Sequence, residues 1–156
     1  MIAIKAMPLT IMITGGSGFV GASLAIYLKR SMPSARVVAL DNLKRRGSEL
    51  NLVRLKQGGV EFLHADIRFI SDVDMVDSLD VIIDCAAEPS VLAGYNESPK
   101  YIVDTNLGGT INCLEIARQH HAQFIFVSTS RVYPTSRLQK ILLKESEFTP
   151  ALGKAK

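Results

Sequence analysis

A strand followed by a glycine-rich turn is encoded in segment 11–21, which has the sequence IMITGGSGFVG. The apolar run is typical of a buried parallel strand, and it ends in three glycines, Gly15, Gly18 and Gly21, with the spacing G-x-x-G-x-x-G. Glycines at that spacing allow a tight turn, the close approach of a phosphate and the packing of a helix on the strand. A helix beginning near Phe19 would present free N–H groups to a dinucleotide's pyrophosphate. An ordinary strand-to-helix turn is the alternative explanation.

A second apolar run, RVVALD, ends in Asp41, about 20 residues after the glycines. Dinucleotide-binding folds place an acidic residue there to accept hydrogen bonds from the adenosine ribose. A carboxylate at that point repels a 2′-phosphate, so the pattern favours NAD over NADP, although Lys44, Arg45 and Arg46 follow closely. A turn-forming or helix-capping aspartate is the alternative role for Asp41.

Composition narrows the class of protein. The 156 residues are 47% hydrophobic with a net charge of +3, which suits one compact α/β domain. The basic cluster 44–46 has no interleaved aromatic residues, so it indicates a solvated loop and no nucleic-acid partner. Cys85 and Cys113 form no C-x-x-C pair and no histidines have zinc spacing, so we expect reduced thiols and no metal. No segment is typical of a signal peptide or membrane span, and we expect a cytoplasmic protein with no membrane partner.

Helix and strand signals alternate along the chain. They predict helices over 19–30, 47–57, 71–78 and 99–120, and strands near 11–14, 36–41, 60–64, 81–83 and 124–127. This alternation predicts right-handed crossovers and a Rossmann-type doubly wound parallel sheet of about five strands. Ligands bind at the carboxyl ends of the strands in that fold, so the residues after each strand are the candidates for a site.

Three groups of candidates follow strands. Asp66 and Ile67 come after the third strand, where they suit an adenine, although Asp66 is equally suited to capping the next helix. Ala86 and Ala87 come after the fourth strand, where small side chains allow close approach of a cofactor or close packing of a helix. The hydroxyls of 128–130 follow the fifth strand, near the expected nicotinamide.

The motifs GGSGFVG, DNL, HADIR, CAAEPSV, DTNLGGT and STSRVYP together resemble the extended short-chain dehydrogenase/reductase family of nucleotide-sugar epimerases and dehydratases. The resemblance covers nearly the whole chain. Segments LDNLKRRGSELNL, CAAEPSVLAGY and STSRVYP are particularly similar to CDP-paratose 2-epimerases, also called CDP-tyvelose epimerases. The resemblance implies an isomerase of lipopolysaccharide biosynthesis that uses NAD as its cofactor and a nucleotide sugar as its substrate. It also implies that the enzyme forms a homo-oligomer. A UDP-sugar 4-epimerase is the enzymatic alternative.

The resemblance also implies roles for individual residues. The cofactor would contact Gly15, Gly18, Phe19, Val20, Gly21, Asp41, Asn42, Asp66, Ile67, Ala86, Ala87, Thr105 and Ser128. Thr129 matches the family's catalytic Ser/Thr, which hydrogen-bonds the substrate hydroxyl being oxidised. Glu88, Ser90 and Arg131 would face the sugar nucleotide.

Two catalytic features of the family are missing from these residues. The family's base is a tyrosine with a lysine four residues later, and none of the four tyrosines here has a lysine at that distance. Family dehydratases carry Asp and Glu where this chain has Ser130 and Arg131, which favours epimerisation over loss of water.

We therefore expect an amino-terminal fragment of an enzyme, nearly inactive by itself. Its NAD-binding Rossmann domain would span 1–134, and 135–156 would be a tail leading toward a missing catalytic portion. Two alternatives of other classes are a non-catalytic NAD-binding module and an interaction role for an unpaired edge beside the fifth strand.

Overall fold

The computed structural model describes residues 8–90, 92–96, 98–128, 143–144 and 151–152. Five parallel strands form one sheet: β1 (Thr10–Thr14), β2 (Arg36–Asp41), β3 (Glu61–His64), β4 (Val81–Asp84) and β5 (Gln123–Phe126), in the order β3-β2-β1-β4-β5. A separate antiparallel pair joins β6 (Leu143–Lys144) to β7 (Ala151–Leu152). The doubly wound parallel sheet expected from the alternating pattern is confirmed.

Helices connect the strands. They are α1 (Phe19–Ser31), a 3-10 turn (Ser48–Leu50) that leads into α2 (Asn51–Gln57), the single turn α3 (Ile70–Val73), α4 (Lys100–Val103) and α5 (Thr110–His120). A π-helical stretch, Asp104–Gly109, joins α4 to α5 without a break. None of the helices in the described ranges is long and apolar enough to cross a membrane.

Two helices differ from their predicted form. The predicted helix 71–78 is only one turn long, because Ser and Asp residues compete for backbone hydrogen bonds and Ser78 adopts a left-handed φ of 57°. The predicted single helix 99–120 contains the π-helical stretch instead. That stretch ends at Gly109, where an added Cβ would overlap the side chain of Ile67, so the helix lies unusually close to the segment after β3.

Alternating strand residues build a core layer on each face of the sheet. The layer beneath α5 contains Met12, Val38, Leu40, Ile82, Cys113 and Ile116. The layer beneath α1 and α2 contains Ile11, Ile13, Val37, Ala25, Ile26 and Leu55. Burial raises the pKa of the Cys113 thiol to about 12, so it remains protonated at neutral pH.

The strand order places a crevice beside β1. The chain runs outward from β1 through β2 to β3, then crosses to β4 on the other side of β1. Connections after β1 and β4 therefore leave the sheet in opposite directions, and a crevice opens between them at the carboxyl edge. At the far side β5 is an edge strand of the described sheet, and the residues Ile125, Phe126 and Val127 are 48%, 52% and 43% exposed.

Candidate nucleotide-binding site

A cavity of about 640 Å³ opens at this crevice. Most of the residues predicted to bind a cofactor or substrate line it: Gly15, Gly18, Phe19, Val20, Gly21, Asp41, Asn42, Ile67, Ala86, Ala87, Glu88, Ser90 and Thr105. Asp66 and Ser128 do not line the cavity. Thr129 and Arg131 lie outside the described residues.

The glycine turn between β1 and α1 packs backbone against backbone. Gly15 has a φ of +59°, which favours glycine, and an added Cβ would lie 2.8 Å from the Cys85 carbonyl oxygen. The Gly18 N–H donates to the Gly15 carbonyl at 2.9 Å. An added Cβ on Gly21 would overlap that same carbonyl oxygen. The turn therefore has no room for side chains, and its backbone forms the floor of the cavity.

The beginning of α1 suits an anion. Gly18 is its N-cap residue, and no side chain in the described part of the protein caps the helix. The first N–H groups of a helix have no partner within it, so those of Phe19 and Val20 remain available at the cavity. With the positive end of the helix dipole, they form a suitable pyrophosphate site that needs no cationic side chain.

A buried hydroxyl at the cavity further supports a bound ligand. Thr105 in the π-helical stretch lines the cavity and is only 8% exposed. Its hydroxyl lacks a hydrogen-bond partner among the described residues. The hydroxyl of Ser17 also lacks one there, but Ser17 is fully buried in the glycine turn and does not line the cavity. Buried hydroxyls are normally hydrogen-bonded. The cavity therefore has an unfilled polar position at Thr105, and its glycine floor and helix terminus fit a dinucleotide such as NAD.

Asp41 connects the glycine turn to the loop after β2. Its carboxylate accepts a hydrogen bond from the Ser17 N–H at 3.2 Å and another from the Leu43 N–H at 2.8 Å. The turn-forming role considered for this residue is therefore present. A carboxylate has about four acceptor sites, so Asp41 retains capacity for ribose hydroxyls in the cavity that it lines.

Asp66 is held in an ion pair outside the cavity lining, whereas its neighbour Ile67 lines the cavity. The Arg68 guanidinium forms an ion pair with the Asp66 carboxylate at 2.6 Å, and the Asn42 amide donates to the same carboxylate at 2.9 Å. The suggestion that Asp66 caps the next helix is wrong, because α3 begins after Phe69 as its N-cap. Ile67 does line the cavity, and the close packing of Gly109 against its side chain holds it there.

The ion pair makes stability depend on pH. The hydrogen bond from Arg68 lowers the pKa of Asp66 to about 2. The unfolded value is about 3.9, so the pair stabilises the fold above about pH 4 and its contribution disappears as the pH falls toward 2. The free energy of unfolding of Arg68→Met should therefore be lower than that of the wild type at pH 7, and the two should approach each other at pH 2. Urea titrations at pH 7, 4 and 2 measure this difference.

The control for this experiment is Asp66→Asn. In that background Arg68→Met removes no ion pair, so its effect should be the same at each pH. If the difference in free energy of unfolding between the wild type and Arg68→Met stayed constant from pH 7 to pH 2, it would contradict the assignment of the ion pair.

Sequence reasoning missed a buried carboxylate beneath the cavity. Asp84, at the end of β4, is 1% exposed and accepts hydrogen bonds from the Thr14 hydroxyl at 2.5 Å and the Thr110 hydroxyl at 2.9 Å. The Ala86 N–H donates to it at 3.2 Å. The one signal in the sequence is a charge closing the apolar run VIID. The hydrogen bonds of Asp84 therefore connect three parts of the fold, which are β1, the beginning of α5 and the segment that follows β4.

The loop 88–90 after β4, which forms the rim of the cavity, is held by hydrogen bonds that the motifs did not predict. The Glu88 N–H donates to the Asn106 side chain at 2.7 Å, and the Glu88 carboxylate accepts from the Ser90 N–H at 3.0 Å. This loop is therefore anchored to the π-helical stretch, which also contains Thr105.

Comparisons with known proteins identify the family of the chain. The model of the NAD dependent epimerase/dehydratase family matches residues 11–151. CDP-paratose 2-epimerase of Salmonella typhi is 32% identical over 144 residues, which are 89% of this chain and 42% of that protein. ADP-L-glycero-D-manno-heptose-6-epimerase of Helicobacter pylori superposes with a TM-score of 0.68 at 32% identity, covering 85% of this chain and 43% of the other.

UDP-glucose 4-epimerase of Bifidobacterium longum, solved with NAD+ and UDP, superposes with a TM-score of 0.70 at 25% identity, covering 92% of this chain and 42% of the other. The chain thus spans less than half the length of these relatives. NAD, the cofactor expected from the sequence, is the cofactor of the matched family. Because the family model matches most of the length of this chain, the chain belongs to the NAD dependent epimerase/dehydratase family.

Proposed function

We propose that this chain is the NAD-binding part of a nucleotide-sugar epimerase, and specifically of a CDP-paratose (CDP-tyvelose) 2-epimerase of lipopolysaccharide biosynthesis in the cytoplasm. The observation that carries the proposal is the cavity at the crevice. Its floor is the glycine turn, and no side chain of the described residues caps α1 or hydrogen-bonds the Thr105 hydroxyl. The resemblance of three segments to the 2-epimerases and the similarity to the Salmonella typhi enzyme support the choice of sugar.

Each wall of the cavity has a proposed task in holding the dinucleotide. The first turn of α1 would bind the pyrophosphate, and Asp41 with Asn42 would accept and donate hydrogen bonds at the adenosine ribose. Ile67 would pack against the adenine, and the Thr105 hydroxyl would hydrogen-bond the cofactor. Ala86 and Ala87 leave room for the cofactor beside the end of β4.

The substrate side is proposed from fewer contacts. Glu88 and Ser90 on the anchored rim would face the sugar nucleotide, together with Arg131. Thr129 would hydrogen-bond the sugar hydroxyl that is oxidised, whose carbon gives up the hydride, and Ser128 would lie along the cofactor. When bound, NAD supplies a reversible hydride acceptor, so the carbon oxidised to a keto group is reduced again on its opposite face.

We propose that these residues bind NAD but do not turn over a sugar. No tyrosine among the 156 residues has a lysine four positions later, and general acid–base groups typically contribute a factor of about 10² to 10⁴ in rate. The NAD-binding domain is proposed to span 1–134, with 135–156 as a segment leading toward the catalytic portion. A UDP-sugar 4-epimerase and a non-catalytic NAD-binding module are the alternatives.

Calorimetric titration with NAD tests the proposal directly. The wild type should bind NAD in preference to NADP, and Asp41→Ala should weaken NAD binding about tenfold, because ribose hydrogen bonds are lost. Asp41→Asn keeps the shape and one acceptor oxygen, so its affinity should be intermediate. Circular dichroism of each variant verifies the fold. A folded wild type that binds neither nucleotide would overturn the proposed site.

A second assay tests the substrate. CDP-paratose or UDP-glucose is incubated with NAD and either the 156-residue chain or the product of the complete gene, and NMR follows the sugar. The chain alone should form no epimer, whereas the complete product should invert C2 of the CDP-sugar. Inversion at C4 of the UDP-sugar would favour the alternative epimerase, and no turnover of either would favour the module.

We also propose that the protein forms a homo-oligomer. Four apolar residues on α4, the π-helical stretch and α5 are about half exposed, and their spacing places them on one side of the helix: Val103, Leu107, Ile111 and Leu114. Contiguous exposed apolar stripes of this kind mark interaction surfaces. Light scattering after size exclusion should give a mass of at least a dimer, and Ile111→Glu should shift it to a monomer. A monomeric wild type would contradict this proposal.

A further inference from the structure

A contact between Lys44 and Tyr101 connects the two sides of the cavity. Lys44 lies in the loop after β2, and Tyr101 is in α4, in the connection after β4. β2 and β4 flank β1 on opposite sides, so these segments rise on opposite sides of the crevice. Both residues line the cavity, and the Lys44 ammonium lies 3.1 Å from the centre of the Tyr101 ring. Cation–π attraction therefore holds the ammonium on the far wall.

A second cation approaches the same ring. The Arg68 guanidinium carbon is 5.1 Å from the centre of the Tyr101 ring, and Arg68 is itself held by its ion pair with Asp66. The ring thus interacts with a cation from the segment after β2 and with one from the segment after β3. These contacts restrain Tyr101 and, through it, the position of Lys44.

The position of Lys44 matters for the choice of cofactor. It is three residues after Asp41, at the end of the cavity where Asp41 and Asn42 would meet the adenosine ribose. A cation free to move at that point would pair with the 2′-phosphate of NADP, the feature that distinguishes NADP from NAD. The Asp41 carboxylate would instead repel that 2′-phosphate. Arg45 also lines the cavity, so it is a second candidate partner for a 2′-phosphate.

From this arrangement we infer that Tyr101 is a specificity-determining residue, which favours NAD over NADP by holding the Lys44 ammonium away from the ribose. This inference rests on the proposed binding of NAD in the cavity. Its mechanism is distinct from the direct repulsion by Asp41, because it acts through Lys44. Loss of the ring should therefore improve NADP binding only when Lys44 is present.

A double-variant cycle separates this role from a structural one. Calorimetry gives the ratio of the NADP and NAD dissociation constants for the wild type, Tyr101→Leu, Lys44→Met and the double variant. Tyr101→Leu should lower the ratio about fivefold, the range expected when a cation–π pair is exchanged for an ion pair. Lys44→Met alone should change it less than twofold, and the double variant should regain the wild-type ratio.

Two further variants sharpen the test. Tyr101→Phe keeps the aromatic face and should keep the wild-type ratio. Arg45→Gln combined with Tyr101→Leu should retain the lowered ratio, because the inference assigns the gain to Lys44. If Tyr101→Leu does not fold, a Lys44→Met variant that weakens NADP binding fivefold in the wild-type background would already overturn the inference.

The outcomes also distinguish this inference from the proposed function. Normal NAD binding with an unchanged ratio in Tyr101→Leu overturns the inference alone. A lowered ratio that persists in the double variant overturns it as well, because Lys44 would not be the group responsible. A folded wild type that binds neither nucleotide overturns both.

Discussion

Gly21→Ala is expected to weaken NAD binding about thirtyfold and to destabilise the protein, although alanine is the better helix former by about 1 kcal/mol. The new Cβ would overlap the carbonyl oxygen of Gly15, which is main chain and has no rotamer to change. Overpacking of this kind costs about 1 to 3 kcal/mol. Relief requires a shift of α1 away from the glycine turn, and about 2 kcal/mol lost from the pyrophosphate site corresponds to the thirtyfold change.

Gly108→Ala is the matched control for this prediction. Gly108 is also helical, but its added Cβ would meet only the Val103 carbonyl at 3.9 Å, an ordinary contact. Thermal unfolding and NAD calorimetry of both variants measure the two effects. Gly108→Ala should bind NAD like the wild type and be at least as stable, with a gain of up to about 1 kcal/mol from helix propensity. If Gly21→Ala were as stable as Gly108→Ala and bound NAD equally well, the close packing of the turn would be refuted.

Asp84→Ala is expected to lower the free energy of unfolding by about 3 kcal/mol, because it creates a cavity and removes the acceptor of buried donors. The Thr14 hydroxyl would lose its partner at 2.5 Å. The Thr110 hydroxyl and the Ala86 N–H would keep weaker acceptors, the Asn106 carbonyl at 3.2 Å and the Thr14 hydroxyl at 3.3 Å. Those weaker contacts limit the loss to this size.

Asp80 provides a matched control at the opposite end of the same strands. Its carboxylate accepts from the Thr10 N–H at 2.7 Å, but Asp80 is exposed, so water replaces it after Asp80→Ala. Urea unfolding should give a loss below about 1 kcal/mol for Asp80→Ala. Asp84→Asn, which keeps one acceptor oxygen, should fall between the two. Equal losses for Asp80→Ala and Asp84→Ala would show that burial of the Asp84 network has no energetic consequence.

Sequence patterns predicted the parts of the site that depend on neighbouring residues. The turn 15–21 and the strand ending at Asp41 are each encoded in one short segment, where glycine spacing and apolar runs act locally. The position of Asp66 was less well predicted. Its carboxylate is held by Arg68 and Asn42 and does not line the cavity, since a competing cation two residues away determines where it lies.

Local patterns in the chain were thus sufficient for the α/β class, the parallel sheet and the glycine floor, since strand and turn preferences act over a few residues. The buried Asp84 network, the burial of the Thr105 hydroxyl at the cavity and the contact of Lys44 with Tyr101 were not predictable in the same way. Each depends on which connections the strand order brings together across β1. These contacts are between residues that lie tens of positions apart in the sequence, and they form only when the sheet and helices pack together.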